Sequence, residues 1–160
     1  KPEPPVGLFE QYLYNEAENS SCFVGDFYYT GDRAYQDEDG YYWFIGRSDD
    51  IIKSSGYRIG PSEVEDVMAH HPAVLEVAVV GAPDPLRGAR VKAYVTLRPE
   101  FEATESLVRE LQNFVKQQTA PYKYPREIEF IKKMPKTFSG KIKRDLLRRH
   151  AETGEYTWES

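Results

Sequence analysis

The stretch Val74-Leu75-Glu76-Val77-Ala78-Val79-Val80 is an almost continuous apolar run. Such a run is typical of a strand that is buried on both faces of a sheet. Residues 91–97 instead alternate apolar and polar side chains, which predicts a neighbouring strand with one apolar face. A small sheet with helices packed on it is therefore expected around this stretch.

Helix signals lie on both sides of these strands in the sequence. Pro61 fits the first position of a helix that ends before His70-His71-Pro72. Thr104 can cap a second helix, and residues 142–150 predict a short basic helix. The alternating residues 128–130 predict a further strand. This interleaved order predicts an α+β fold, in which a small sheet is flanked by helices.

The amino-terminal residues have a different character, rich in aromatic residues and turn formers. Residues 27–29 and 41–45 look like two strands that pair with each other. Asp37-Glu38-Asp39-Gly40 lies between them and is a hairpin-turn signal. The texture changes at residues 46–60, so we predict a domain boundary near Asp49, with a β-rich segment over 1–48 and a second domain over 49–160.

Composition limits the class of protein. The chain has 160 residues, 40% hydrophobic and 29% charged, as expected for one globular domain plus an appendage. No apolar run approaches the roughly 20 residues that a membrane helix needs, so no membrane span is predicted. The single cysteine, Cys22, excludes an internal disulfide and suits a reducing compartment.

Charge is distributed unevenly along the chain. Residues 1–50 hold eleven acidic and three basic side chains, whereas residues 132–149 hold eight basic and one acidic. The basic segment lacks interleaved aromatic residues, so small phosphorylated ligands are expected rather than nucleic acid. His70 and His71 have no third ligand near them in sequence, and no metal site is predicted.

Three short motifs carry polar groups with a chemical use. In residues 28–33, the Asp32 carboxylate on a turn at the end of a strand can accept hydrogen bonds from both hydroxyls of a ribose. Residues 46–60 hold glycines and arginines at defined spacings. Residues 135–144 form an exposed loop with Gly140 before Lys141, which is not a Walker loop because Pro135 and Ile142 occupy two of its required positions. Each motif alone is weak, and their fixed order makes them specific.

Together the three motifs resemble the C-terminal signature of the adenylate-forming superfamily, which includes acyl-CoA synthetases, luciferases and peptide-synthetase adenylation domains. The likeness runs from about Gly7 to Arg149. Residues 37–41, 54–65 and 120–126 look most like medium-chain fatty acyl-CoA synthetases. The resemblance implies that residues 1–48 end a large N-terminal AMP-binding body and that residues 49–160 are a mobile α/β-type lid. It also implies an exposed apolar patch where residues 1–45 would face that body.

The resemblance also implies a reaction in two halves. A carboxylate attacks ATP to give an acyl-adenylate and pyrophosphate, and CoA then displaces AMP to give acyl-CoA. ATP, CoA and a fatty acid would be the small-molecule partners, and Mg²⁺ would accompany ATP without ligands from this segment. The segment alone is expected to be inactive, because the missing N-terminal domain would hold the phosphate loop and the acyl pocket.

Residue roles follow from the same resemblance. Lys141 would bridge the carboxylate and phosphate oxygens, Asp32 would hold the ribose with help from Arg47, and Asp49 would be the hinge of the lid. The predicted CoA-binding residues form two sets. The residues that would flank the tunnel for the pantetheine arm are Ser55, Gly56 and Tyr57. The residues that would contact the nucleotide end of CoA are Arg58, Arg87, Lys116, Tyr124 and Arg126.

Two other functions remain open from the residues alone. One is an adenylation domain that loads a carrier protein, which also presents a pantetheine arm but lacks the adenosine phosphates of free CoA. The other is a non-enzymatic CoA- or nucleotide-binding module, against which the presence of Lys141, Asp49 and Asp32 argues. A cytoplasmic location is expected, or the mitochondrial matrix if the source is an animal.

Overall fold

The computed structural model describes Gly7 and residues 9–155. These residues fall into two compact units, and the division lies between Asp49 and Asp50. We call them the amino-terminal unit and the carboxyl-terminal unit. The first and last residues of the two predicted domains, 1–6, 8 and 156–160, lie outside the described residues.

The amino-terminal unit holds one short helix and two small antiparallel sheets. Its elements are α1 (Glu16–Cys22), β1 (Phe23–Val24), β2 (Phe27–Tyr28), β3 (Asp32–Gln36) and β4 (Tyr42–Arg47). The predicted pairing of residues 27–29 with residues 41–45 is wrong, because β2 pairs with β1 and β4 pairs with β3. Strand β3 escaped prediction because DRAYQ has no apolar alternation, and all five of its residues are exposed.

The predicted hairpin turn at Asp37 is confirmed. Its Oδ1 accepts hydrogen bonds from the main-chain N–H groups of Asp39 at 3.1 Å and Tyr41 at 2.8 Å. The indole N–H of Trp43 donates to Oδ2 at 2.6 Å. This last bond in particular favours the carboxylate and holds the pKa of Asp37 below its usual value.

An exposed apolar patch is present on the β3–β4 hairpin, as predicted. Tyr35, Trp43 and Phe44 are each more than half exposed, at 54%, 53% and 63%. Tyr42 is exposed to 75%. Aromatic side chains with this exposure are typical of a surface that another part of a protein covers.

The carboxyl-terminal unit is built on one five-stranded sheet. Its elements are β5 (Ile52–Ser54), β6 (Tyr57–Ile59), α2 (Pro61–Ala69), β7 (Val74–Asp84), β8 (Gly88–Leu97), α3 (Glu105–Gln118), β9 (Glu127–Phe130) and α4 (Arg144–Thr153). The strand order is β6-β5-β8-β7, and β9 pairs with β8 in parallel. The predicted α+β class is confirmed.

The predicted double burial of β7 is also confirmed. Val77 and Val79 point into a core shared with α2 and α3, and Ala78 and Val80 point into a second core under α4. Helices therefore cover both faces of the sheet. Strand β7 is longer than its apolar run because it continues to Asp84 in a hairpin with β8.

Strand β8 departs from its alternating pattern, because its polar face is buried as well. Lys92, Tyr94 and Thr96 are 5%, 0% and 7% exposed. Lys92 Nζ lies 2.8 Å from carboxylate oxygens of both Glu127 and Glu129 on β9. Burial disfavours the ammonium, but the two carboxylates outweigh that effect and raise the pKa of Lys92.

Helix α4 is fixed to this polar face. The Tyr94 hydroxyl donates to the carbonyl oxygen of Leu147 at 3.2 Å and lies 2.8 Å from His150 Nδ1. Arg144 pairs with Glu65 on α2 at 2.5 Å. The residues just before α4 are thereby held at a defined place on the sheet.

Helices α2 and α3 agree with the sequence, whereas α4 begins later than predicted. Thr104 Oγ1 accepts the N–H of Leu107 at 3.2 Å and caps α3 as expected. Ile142, the predicted start of α4, instead forms an antiparallel bridge with Lys136. The helix begins at Arg144 and ends before Gly154, which has a φ of +74°.

Leu147 tests how strongly α4 is held. Leu147→Ala is expected to lower the free energy of unfolding by about 2–5 kcal/mol, because the side chain is fully buried in the second core. The matched control Leu86→Ala removes a side chain that is 87% exposed and should change it by less than about 0.5 kcal/mol. Urea denaturation measures both, and equal losses would contradict the packing described for α4.

Candidate functional site

Lys141 lies in a tight hairpin loop that is braced at its base. The bridge between Lys136 and Ile142 closes the loop, and Lys136 forms an ion pair with Glu76. Inside the loop, Thr137 N–H donates to the Lys141 carbonyl oxygen at 2.7 Å, and Lys141 N–H donates to Thr137 Oγ1 at 3.1 Å. Gly140 supplies the turn with a φ of +85°. The backbone of Lys141 is therefore fixed.

The side chain of Lys141 is exposed and uncommitted. Within residues 9–155 no carboxylate pairs with its Nζ, whereas the neighbouring Lys136 is already paired with Glu76. An ammonium group on a flexible stem at a fixed backbone position is suited to meeting an anionic ligand.

Asp32, Arg47 and Asp49 lie together. Asp32 is the first residue of β3, so the expectation that it sits on a turn at the end of a strand is wrong. It lies opposite Arg47 across the sheet. Arg47 Nη1 is 3.9 Å from Asp32 Oδ1, and Arg47 Nε donates to Asp49 Oδ1 at 3.2 Å. One guanidinium thus orients two exposed carboxylates.

Thr30 and Gly31 complete this arrangement. Arg47 Nη1 donates to the carbonyl oxygen of Thr30 at 3.1 Å. A Cβ at Gly31 would lie 3.1 Å from Arg47 Nη2, and the φ of +79° also favours glycine. Any side chain at Gly31 would press on the guanidinium.

A small polar cavity of about 140 Å³ opens next to Arg47. Tyr28 and Tyr12, neither of which was a predicted site residue, line it with their hydroxyls 3.3 Å apart. That hydrogen bond is the main cause that raises the pKa of Tyr28 to about 12. The cavity therefore presents two hydroxyls beside a fixed cation.

Asp49 and Asp50 have different partners. Asp49 is held by Arg47, and Asp50 forms an ion pair with Arg148 on α4. The division between the two units falls between them. The predicted hinge is thus the last residue of the amino-terminal unit, and its role as a hinge stays a prediction.

Ser55 and Gly56 form the two-residue turn between β5 and β6. Their φ angles are +50° and +83°, and Ser54 pairs with Tyr57 across the turn. This geometry is typical of a type I′ hairpin turn, in which both central residues have a positive φ, and it explains why glycine is favoured at position 56. A Cβ at Gly56 would meet no atom within 4 Å, so the space in front of it is open.

Arg87 belongs to the same neighbourhood as this turn. Its carbonyl oxygen accepts the N–H of Ser55 at 3.0 Å. Its guanidinium lies 3.4 Å from Asp84 Oδ2. Burial alone would raise the pKa of Asp84, but the N–H groups of Leu86 and Arg87 and the guanidinium lower it. Arg87 is therefore already partly neutralised.

Lys116, Tyr124 and Arg126 form one compact cluster. Lys116 Nζ lies 4.1 Å from the centre of the Tyr124 ring, and Arg126 Cζ lies 5.0 Å from it. Arg126 Nη1 also donates to the Tyr124 hydroxyl at 3.0 Å. Gln112 holds the main chain below by donating to the carbonyl oxygens of Pro125 and Arg126. Two cations are thus pre-positioned around one aromatic ring.

The predicted CoA residues therefore fall into separate groups. Ser55, Gly56 and Arg87 form the first group, and Lys116, Tyr124 and Arg126 form the second. Tyr57 stacks on Tyr122, which the motifs did not single out. Arg58 is exposed opposite Lys53, and its role stays a prediction like those of the other site residues.

Comparison with known proteins identifies the domain. Residues 63–141 match the family described as the AMP-binding enzyme C-terminal domain. These residues belong to this family. The match begins at Glu63 in α2 and ends at Lys141. It therefore includes strands β7, β8 and β9 and the loop as far as Lys141.

Named relatives share more of the chain than this domain. It is 56% identical over 150 residues to the mitochondrial acyl-coenzyme A synthetase ACSM3 of Mus musculus, with 92% of this chain and 26% of that protein covered. It is 58% identical over the same length to the mitochondrial acyl-coenzyme A synthetase ACSM5 of Rattus norvegicus, again with 92% and 26% covered. The chain thus spans about a quarter of the length of these relatives.

A solved structure agrees with the fold. The anthranilate CoA ligase AuaEII in complex with anthranoyl-AMP superimposes with a TM-score of 0.79 at 42% identity, with 88% of this chain and 27% of that chain covered. Among the described residues, no helix is both long and apolar enough to cross a membrane.

The braced loop allows a test that does not depend on function. Thr137→Val keeps the shape of the side chain but removes the acceptor of the Lys141 N–H. The Lys141 amide should then exchange with deuterium about 2- to 10-fold faster, the range expected for one lost hydrogen bond. Thr137→Ser should retain the protection, and equal exchange in all three proteins would show that the hydroxyl does not hold the loop.

Proposed function

We propose that this chain is the C-terminal part of an AMP-forming acyl-CoA synthetase that acts on medium-chain fatty acids. The observation that carries the proposal is the uncommitted ammonium of Lys141 on a braced loop, at the end of an AMP-binding C-terminal domain. The two named relatives are acyl-coenzyme A synthetases, which supports the reaction type. In this proposal residues 1–48 end the N-terminal body and residues 49–160 form the mobile domain.

Lys141 serves the first half-reaction. A carboxylate and the α-phosphate of ATP repel each other, and an ammonium between their oxygens offsets that repulsion and holds them in line. Because the loop fixes the backbone of Lys141, only its side chain must be ordered when the substrates bind. The lysine therefore contributes to adenylation rather than to thioester formation.

Asp32 and Arg47 bind the nucleotide in this scheme. The Asp32 carboxylate accepts hydrogen bonds from the ribose hydroxyls, and Arg47 fixes the carboxylate from the opposite strand. Arg47 also holds Asp49, the proposed hinge. Rotation about Asp49 would separate the two half-reactions by withdrawing Lys141 and presenting the Gly56 turn.

The Gly56 turn and the Lys116 cluster serve the second half-reaction. The open space at Gly56 admits the pantetheine arm of CoA close to the main chain. Lys116 and Arg126, with Arg58 and Arg87, supply cations for the phosphates at the nucleotide end. A carrier protein lacks those adenosine phosphates, so the pre-positioned cation pair on Tyr124 favours free CoA as the acceptor.

ATP and CoA are substrates in this proposal, and Mg²⁺ accompanies ATP. Among residues 9–155 no group of three or more His, Cys, Asp or Glu side chains is arranged to hold a metal ion. No step of the proposal uses a metal ion held by these residues. The relatives are named as mitochondrial, which supports a mitochondrial matrix location for an animal protein.

Lys141→Ala in the full-length protein tests the proposed role of the lysine. Adenylation, followed by pyrophosphate release, should slow by about 100- to 1000-fold, as when one preorganised charge-stabilising group is lost. Thioester formation from a supplied acyl-adenylate should be unchanged. Lys132→Ala is the matched control because Lys132 is an exposed lysine outside the loop. Equal loss in both half-reactions would contradict the assignment.

Gly56→Ala tests the proposed path of the pantetheine arm. The methyl group meets no protein atom, so the fold should lose only about 1 kcal/mol from the positive φ. Thioester formation should fall by roughly 100-fold, because the methyl group displaces the arm from its path. Gly154→Ala has a similar φ of +74° and equally open surroundings, and it serves as the control. Similar thioester rates in the two variants would exclude the proposed path.

A further inference from the structure

Tyr57 and Tyr122 form a parallel aromatic stack. Their ring centres are 4.0 Å apart and their planes are inclined by 11°. Tyr57 directly follows the Gly56 turn, and Tyr122 lies in the segment between α3 and β9. The two residues are far apart in sequence, and Tyr122 is not among the predicted CoA-binding residues.

Tyr122 is itself held from two sides. Its neighbour Lys123 forms an ion pair with Glu63 in the first turn of α2. The N–H of Lys123 donates to the carbonyl oxygen of Ala120 at 2.9 Å. A few residues on, Gln112 holds the main chain at Pro125 and Arg126. Tyr122 therefore offers a fixed surface for another ring.

Among residues 9–155, no other ring contact, ion pair or side-chain hydrogen bond orients the side chain of Tyr57. It is 49% exposed, and the stack with Tyr122 is the aromatic contact that the structure gives it. An exposed tyrosine without such a contact samples several rotamers. The stack selects one orientation.

We propose that Tyr122 is a positioning residue for thioester formation, acting through Tyr57. By holding the Tyr57 ring, it keeps the wall of the pantetheine path in place before CoA arrives. The same segment carries Tyr124 and Arg126, so it links the cations for the nucleotide end to the turn that admits the thiol end. This inference rests on the proposed acyl-CoA synthetase function.

The test uses the full-length protein and compares Tyr122→Ala, Tyr122→Phe and Phe101→Ala. Phe101 is a matched control, because it is 39% exposed and Tyr122 is 37% exposed. Pyrophosphate release reports adenylation. Single-turnover thioester formation from a supplied acyl-adenylate, measured over a range of CoA concentrations, reports the second half-reaction.

Tyr122→Ala should raise the CoA concentration for half-maximal rate about 3- to 10-fold, in keeping with the loss of one aromatic pair. Its adenylation rate should stay at the wild-type value. Tyr122→Phe keeps the ring and should behave as the wild type, as should Phe101→Ala. If Tyr122→Ala does not fold, Tyr122→Leu replaces it, because leucine keeps apolar volume but cannot stack.

A double variant separates positioning from direct contact with CoA. If Tyr122 acts through Tyr57, Tyr57→Ala combined with Tyr122→Ala should be no worse than Tyr57→Ala alone. Multiplied effects would overturn the proposal, and so would an unchanged CoA dependence in Tyr122→Ala or equal loss in both half-reactions. A wild-type protein that makes no thioester would instead overturn the proposed function itself, together with this inference.

Discussion

The buried ammonium of Lys92 constrains most of the carboxyl-terminal unit. It lies between the carboxylates of Glu127 and Glu129, 2.8 Å from each, and so joins β8 to β9. Arg90 adds a second cation to Glu127 at 2.7 Å. These cations hold the pKa of Glu127 below its usual value even though burial alone would raise it. Breaking such a group by removing one partner leaves charges without compensation, so its geometry is strongly specified.

The proposed CoA-binding segment and the loop of Lys141 both depend on the position of β9. The segment before β9 carries Tyr122, Tyr124 and Arg126, and the segment after it leads to the loop of Lys141. A shift in the pairing of β8 with β9 would move both regions at once. The Tyr94 hydroxyl on the same face of β8 adds the contact with α4, which fixes the far end of the Lys141 loop. One cluster of charges and hydroxyls thus positions groups that serve different half-reactions.

Much of the fold could be predicted because its signals are local. The Pro61 start of α2, the Thr104 cap of α3 and the apolar run of β7 each act through near neighbours in sequence. The pairing of β1 with β2 could not be predicted, since strands of two residues carry no periodicity. Ile142 fitted the apolar face of a helix but instead forms the bridge with Lys136, a contact between backbone groups that apolar periodicity does not reveal.

The candidate site divides in the same way. Lys141, Asp32 and Arg47 were identified as candidate site residues through the order of their motifs. Nothing in the sequence shows that Arg47 pairs with both Asp32 and Asp49. The contact between Tyr57 and Tyr122 was missed because it joins distant segments, and a tyrosine in a turn has no pattern that predicts a stack. Lys92 looked like the solvent-facing side of an alternating strand, but it is buried and paired with Glu127 and Glu129 on β9, which lie far from it in sequence.

In the proposed function, the chain belongs to an enzyme that joins a fatty acid to free CoA. The decisive measurement follows pyrophosphate release and CoA thioester formation by the full-length protein, with straight-chain acids from acetate to palmitate. Both signals are expected, with their maximum at medium chain lengths. Pyrophosphate release without thioester would contradict the proposed function in favour of a carrier-loading domain, and the absence of both signals would leave only a binding module.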